Sequence, residues 1–366
     1  MAAPQKIQAW QMVRPWSKDK ETGAPIEGVL ERVEMPVPEL QPGESLVEVA
    51  GCGVCHTDLG YFYEGVPTVQ KPPLILGHEI SGRVVAGDLE GKNVLVPAVM
   101  PCNKCPICAA GRENRCLAQK MPGNSLGPYG GFASHIPVPS RDLCVIEDTK
   151  GVPLAHYAVV ADAVTTPYQA AMRGSVQEGD LAVVIGAGGG VGVYMTQMVK
   201  ALGAKFVIAV DIDDWKLERA LKYGADATIN SRGKDPRSVQ DEFREICKAQ
   251  GLPHNWGWKI FEVSGSKAGQ EIGLTLLSFV GKMIVVGFNT AKVEYSISRL
   301  MAFDAEIIGT WGCPPKHYPK VLEMVQTGKI QIEPFLETRP MSSIKEAFEE
   351  AHEGKITKRI VLVPDF

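Results

Sequence analysis

After Asp162 the texture of the chain changes, and that change limits the fold more than any other feature. LAVVIGAGGG from Leu181, KFVIAVDIDD from Lys205, WKIFEVSG from Trp258 and GKMIVVGF from Gly281 are continuous apolar runs. A strand with one wet face alternates apolar and polar residues, whereas a strand buried on both faces reads as an unbroken apolar run. Helical stretches at 191–202 and 215–223 separate the runs. Such alternation predicts βαβ units and a doubly wound parallel sheet, an α/β fold. From Lys316 onward two further helical segments, 318–327 and 342–353, precede a terminal strand, RIVLVP.

The first 150 residues are different. They are dense in Gly and Pro, and ESLVEVAGCGV and ISGRVVAG read as short strands between glycines. No helical period of useful length is visible there, so this part is expected to be β-rich. A chain of 366 residues exceeds a single simple core, and two domains are expected. The net charge of −4 excludes the basic footprint of a nucleic-acid-binding protein. No apolar run reaches the roughly 20 residues of a membrane span. Residues 1–11 lack the charged, apolar and cleavage regions of a secretory leader. Nine cysteines without a pairing framework suit a reducing, cytoplasmic setting.

The strand Leu181–Ile185 runs into Gly186-Ala-Gly-Gly-Gly-Val-Gly192. Glycines there keep a strand-to-helix turn tight and let backbone N–H groups approach a pyrophosphate. The spacing is one residue longer than GxGxxG, since the third glycine position from Gly186 falls on Val191; Gly186, Gly189 and Gly192 fit the longer form. A glycine-rich turn that binds nothing is the alternative. Asp211, 19 residues beyond Gly192, argues against it. A carboxylate at the end of the second strand accepts hydrogen bonds from ribose hydroxyls and repels a 2′-phosphate. Ile212, Asp213 and Asp214 supply no cation to offset it, so NAD rather than NADP is expected.

Two groups of metal-binding side chains stand out. Cys102, Cys105, Cys108 and Cys116 lie within fifteen residues, the spacing of a closed, structural zinc site. Free thiols or two disulfides are alternatives, and disulfides between such near neighbours would be strained. Cys55 in GVCHTDLG and His78 in GHE offer a thiolate and an imidazole. Taken alone, either is as well read as a core residue.

CHTD, GHE, the cysteine tetrad, the glycine turn with Asp211 and the terminal KRIVLV occur in one order. Together they resemble the zinc-dependent medium-chain dehydrogenase/reductase family, the alcohol dehydrogenase group, over nearly the whole chain. The resemblance implies a GroES-like catalytic domain over 1–165, with 309–366 returning to it, and a Rossmann domain over 166–308. It implies two zinc ions: a structural one in the tetrad and a catalytic one on Cys55, His78 and Asp162, the last a carboxylate where many relatives have a thiolate. Asp58 and Glu79 would orient those ligands. Thr57 would accept the proton of the substrate hydroxyl while hydride passes to the nicotinamide. His56 and Arg359 would meet the pyrophosphate, Lys216 the adenosine ribose, and Thr166 and Val191 the nicotinamide, with Gly190 in the turn. Gly60 stands where many relatives end their proton relay with His.

The segments QAWQMVRPWSKDKETGAPIEGVLERVEMP and CGVCHTDLGYFYEGVPT carry a closer likeness to family members that oxidise a cyclic hydroxyacyl-CoA. The expected partner is a small-molecule alcohol carried as a CoA thioester, with no nucleic acid or membrane partner and a homodimeric or homotetrameric assembly. No spacing or charge pattern independently marks a CoA site. A dehydrogenase for a free cyclic or allylic alcohol and a non-catalytic zinc and nucleotide scaffold remain open alternatives.

Overall fold

The structure, a computed structural model, describes residues 4–366. Two compact units are distinguished. One comprises the chain up to Thr165 with Gly312–Thr327 and Gln331–Phe366; the other comprises Thr166–Trp311 with Gly328–Ile330.

The first unit is built on a seven-stranded sheet. Its path runs Cys144–Ile146, Asn93–Val96, Glu79–Gly87, Glu44–Gly53, Arg359–Val363 and Leu336–Pro340, with His135–Pro139 also pairing with Glu44–Gly53. The register assembles the site. Gly53 pairs with Glu79 on one side and with Val361 on the other, so the end of one strand lies between the start of Glu79–Gly87 and the middle of Arg359–Val363. A Cβ on Gly53 would lie 2.1 Å from Glu79 Oε2, so a larger residue at this crossing would displace the Glu79 carboxylate. Ile80, Val84, Val94, Phe132, Phe348 and Leu362 are among the apolar side chains that fill the core.

A second small sheet pairs Val29–Pro36, Lys6–Arg14 and Leu74–Ile75, and a hairpin joins Ser17–Lys18 to Pro25–Ile26. Asp19 shapes its turn, its Oδ1 accepting from the N–H groups of Glu21 and Thr22 at 3.1 and 2.8 Å. This part of the chain also contains a helix, His56–Tyr63, where no helical period was expected. Five of its eight residues, from Asp58 to Phe62, are buried, so the helix has no wet face to print a period on the sequence.

The second unit is a parallel sheet of six strands. They lie in the order Ala227–Asn230, Phe206–Asp211, Leu181–Ile185, Trp258–Glu262, Lys282–Val285, Glu306–Gly309. The first strand in sequence lies in the middle, and the chain winds outward from it in both directions, as the apolar runs predicted. All five residues of Leu181–Ile185 and of Trp258–Glu262 are buried. Helix Pro236–Gln250 has explicit ends: Asp235 accepts from Ser238 N–H at 2.7 Å, Pro236 opens the first turn, and Gly251 closes the last at φ 64°. Its buried residues Val239, Phe243 and Cys247 recur every four positions, one apolar stripe.

Candidate metal and cofactor sites

Helix His56–Tyr63 starts from Cys55, whose backbone is extended at φ −108°, ψ 152°. Asp58 ties this start to the next segment. Its Oδ2 accepts from Cys55 N–H at 3.1 Å, and its Oδ1 accepts from Gly77 N–H at 3.0 Å while standing 3.3 Å from His78 Nδ1. One fully buried carboxylate thereby orients both the cysteine and the histidine. On the far side of the ring, His78 Nε2 lies 3.6 Å from Asp162 Oδ2.

Ligand atoms of Cys55, His78, Glu79 and Asp162 all lie within 4.8 Å of one another. Burial disfavours a charged imidazole at His78, but Asp58 and Asp162 outweigh it and hold its pKa well above the ordinary value. Burial raises Glu79 to about 7; Arg359 opposes the rise and Asp162 adds to it. His78 Nε2 and both Glu79 oxygens are buried without a hydrogen bond. A thiolate, an imidazole and carboxylates within reach of one another form a donor set that suits zinc. The residues present fit a catalytic zinc.

Glu79 stands nearer the centre than the expected supporting role suggested, as a fourth possible donor beside Cys55, His78 and Asp162. Arg359 lies beside Glu79. Only 7% exposed, its guanidinium donates to Val54 O at 2.9 Å and stands 3.2 Å from Glu79 Oε1. No sequence spacing links residues 79 and 359; the strand register does. Thr57 Oγ1 is 3.7 Å from Cys55 Sγ. His56 is largely exposed and stands 3.3 Å from Glu64. Above Gly60 a Cβ would meet Val66 at 3.5 Å and Glu64 at 3.8 Å.

The four lobe sulfurs also lie within 4.8 Å of one another. Sγ of Cys105 is 3.4 Å from that of Cys108 and 3.9 Å from that of Cys116. A disulfide needs about 2.05 Å, whereas a tetrahedral zinc with bonds of about 2.3 Å separates its sulfurs by roughly 3.8 Å. Cys102 N–H and Ala118 N–H both donate to Cys116 Sγ at 3.2 Å, the treatment a thiolate needs. The lobe fits a structural zinc.

In the second unit Gly186 takes φ +83°, and a Cβ on it would lie 2.6 Å from Ser264 Cα. A Cβ on Gly192 would lie 2.0 Å from Gly186 O. At Gly189 a Cβ would meet only Gly186 O, at 3.3 Å. The turn is therefore tight at both ends and at Gly188, where a Cβ would lie 2.3 Å from Lys216 Cβ, and opens at Gly189, where backbone at the start of helix Gly192–Ala201 could be approached by a pyrophosphate. Val191 and Gly190 complete the turn, and Thr166 lies in helix Thr165–Arg173. Asp211 closes its strand, its Oδ2 accepting from Gly188 N–H and its Oδ1 from Ile212 N–H, both at 2.8 Å. Lys216 Nζ stands 4.0 Å from Asp211 and 2.9 Å from Asp213. Positions 212–214 carry no cation, as read from the sequence, but one reaches them from further along the chain. Arg232 folds back onto this loop, donating to Ile212 O at 2.9 Å and pairing with Asp213. The residues fit a dinucleotide.

Known proteins agree with this arrangement. Residues 41–148 match the alcohol dehydrogenase GroES-like domain and residues 190–327 the zinc-binding dehydrogenase domain. An alcohol dehydrogenase of Geobacillus stearothermophilus is 31% identical over 91% of this chain and 95% of its own length. The chain belongs to the zinc-binding alcohol dehydrogenase family. An NAD-dependent alcohol dehydrogenase of Sulfolobus acidocaldarius is 28% identical to the dehydrogenase, over 90% of this chain and 94% of its own. Among solved structures, AibC superposes with a TM-score of 0.83 at 26% identity, covering 99% of the dehydrogenase and 97% of AibC. No helix among the described residues is long and apolar enough to cross a membrane.

Proposed function

We propose that the chain is an NAD-dependent dehydrogenase oxidising a cyclic secondary alcohol carried as a CoA thioester. The specific reaction is 6-hydroxycyclohex-1-ene-1-carbonyl-CoA to the 6-oxo compound, in anaerobic aromatic degradation. The observation that carries the reaction type is the convergence of Cys55, His78, Glu79 and Asp162 within 4.8 Å, with the Thr57 hydroxyl beside Cys55. Cys55, His78 and Asp162 would hold the ion, with Glu79 in reach. Zinc bound there supplies a Lewis acid for the substrate oxygen, and NAD supplies the hydride acceptor. Thr57 Oγ1 takes the hydroxyl proton. Asp58 keeps Cys55 and His78 in register, and Arg359 balances the charge of Glu79. Gly60 offers no imidazole to take the proton on from Thr57.

NAD over NADP is supported by the placement of Asp211 against the glycine turn. The Sulfolobus relative's description as NAD-dependent points the same way. The CoA thioester rests on the likeness of segments 8–36 and 52–68 to dehydrogenases of that substrate. A homodimer or homotetramer in the cytoplasm completes the reading; nine cysteines without a disulfide suit a reducing compartment. A panel of hydroxyacyl-CoA esters and free alcohols, each with NAD and NADP, tests it. Turnover of the cyclic CoA ester with NAD is expected. Turnover of free alcohols with none of the CoA esters would sink the substrate assignment.

A further inference from the structure

We infer that Tyr318, in the segment Gly312–Thr327 that returns to the first unit, is a positioning residue for Asp162. The inference rests on the ligand set proposed above. Asp162 ends a 3-10 helix, Leu154–Ala161, with its backbone at φ −142°, ψ −54°, outside the regular wells. A ligand on such a helix end has its direction set by whatever holds the preceding peptide. That peptide's carbonyl, Ala161 O, accepts from the Tyr318 hydroxyl and from Thr165 Oγ1, the latter at 3.2 Å. The Tyr318 oxygen in turn accepts from Ala98 N–H at 3.1 Å.

A relay of hydrogen bonds thus runs from Ala98 through the phenol to the peptide next to Asp162. Every part of it is buried: Ala98 is 2% exposed, and Tyr318 and Ala161 are inaccessible. Tyr318 is aromatic where an apolar residue would fill the same space, so the hydroxyl is what needs explaining. In dehydrated surroundings such a bond is firm and its loss is not made good by water. Groups that orient metal ligands act on affinity in this way, typically by 10–100-fold when removed.

The test is Tyr318→Phe, which keeps the ring and removes the hydroxyl. Zinc affinities of both sites are read by competition with a chromophoric chelator on the full-length protein, with circular dichroism as the folding control. A loss of about 10–100-fold is expected at the Cys55–His78–Asp162 site, with the cysteine lobe unchanged. In an Asp162→Ala background the same substitution should have no further effect, since a positioning residue acts only through its ligand. Cobalt exchanged into the site gives a second readout, its visible ligand-field band shifting in Tyr318→Phe. Affinity within about twofold of the parent, with an unmoved cobalt band, overturns the inference. If Asp162→Ala itself leaves zinc held as before, the ligand set falls and takes the inference with it. If Asp162→Ala weakens binding and Tyr318→Phe does not, the inference alone falls. Should the phenylalanine variant fail to fold, Thr165→Val removes the other hydroxyl on Ala161 O, one that also reaches Asp162 O at 3.4 Å. It must lower the affinity in the same direction, and an unchanged value overturns the inference.

Discussion

Asp211 performs two tasks with one carboxylate. Its oxygens hold the Gly188 and Ile212 N–H groups, and under the proposed reading the same charge would face a bound ribose. Removing it therefore loosens the glycine turn as well as the discrimination. Asp211→Ser should lower the preference for NAD over NADP by about 10–100-fold, the worth of one or two charge-assisted hydrogen bonds. Lys216, no longer facing that carboxylate, and Arg232, bonded to the neighbouring Ile212 O and Asp213, should help NADP directly. Ratios of kcat/KM with the two cofactors measure it, and an unchanged ratio would refute the role. At this scale residue types were legible before any coordinates. Cys55 and His78 offered a thiolate and an imidazole that only the family resemblance, which also supplied Asp162, read as zinc ligands, and Asp211 offered a ribose partner. Partnerships were not legible. Glu79–Arg359 and Tyr318–Ala161 join residues far apart in sequence, and no periodicity encodes such meetings. Only the register of Gly53 with Glu79 and Val361 makes the first of them.

Among the elements, the cysteine lobe was readable from spacing because its four donors are local. A tight loop leaves few ways to place them. Helix His56–Tyr63 is the opposite case: burial on nearly all sides erases the pattern by which helices are read. The lobe also makes an element-level prediction. Once zinc is stripped by a chelator, its thiols should differ sharply. Backbone N–H groups of Leu117 and Cys108 pull Cys105 down to about 6, whereas burial, then Cys105 itself, pushes Cys108 up to about 12. A thiolate is the nucleophile. In the stripped protein, iodoacetamide at pH 7 should therefore label Cys105 first and Cys108 last. The rate at Cys105 should fall as pH drops below about 6. Cys144, raised to about 12 by burial, should stay unlabelled throughout. In the zinc-loaded protein all four lobe thiols should be protected. Peptide mapping by mass spectrometry reads the order, and equal labelling of Cys105 and Cys108 would contradict it.

At the scale of the molecule, the parallel sheet was the most legible feature, because strands buried on both faces declare themselves as apolar runs. Its last strand breaks that rule. Glu306–Gly309 pairs on one side only, with Lys282–Val285, and three of its four residues are exposed. Near it in sequence, Phe288, Ile297 and Met301 are 63%, 71% and 79% exposed. A bare edge strand with apolar neighbours is an invitation to pair, and soluble proteins cover or charge such edges. Pairing with the same strand of a second copy would cover it across a two-fold axis, which fits the proposed dimeric or tetrameric assembly. Ile307→Lys places a charge on that edge at a position already 39% exposed. The cost to one copy's folding should be within about 0.5 kcal/mol. Sedimentation velocity should show a smaller species than the parent, with both zinc ions retained and little change in far-UV dichroism. A species of unchanged size would exclude this edge as the contact between copies.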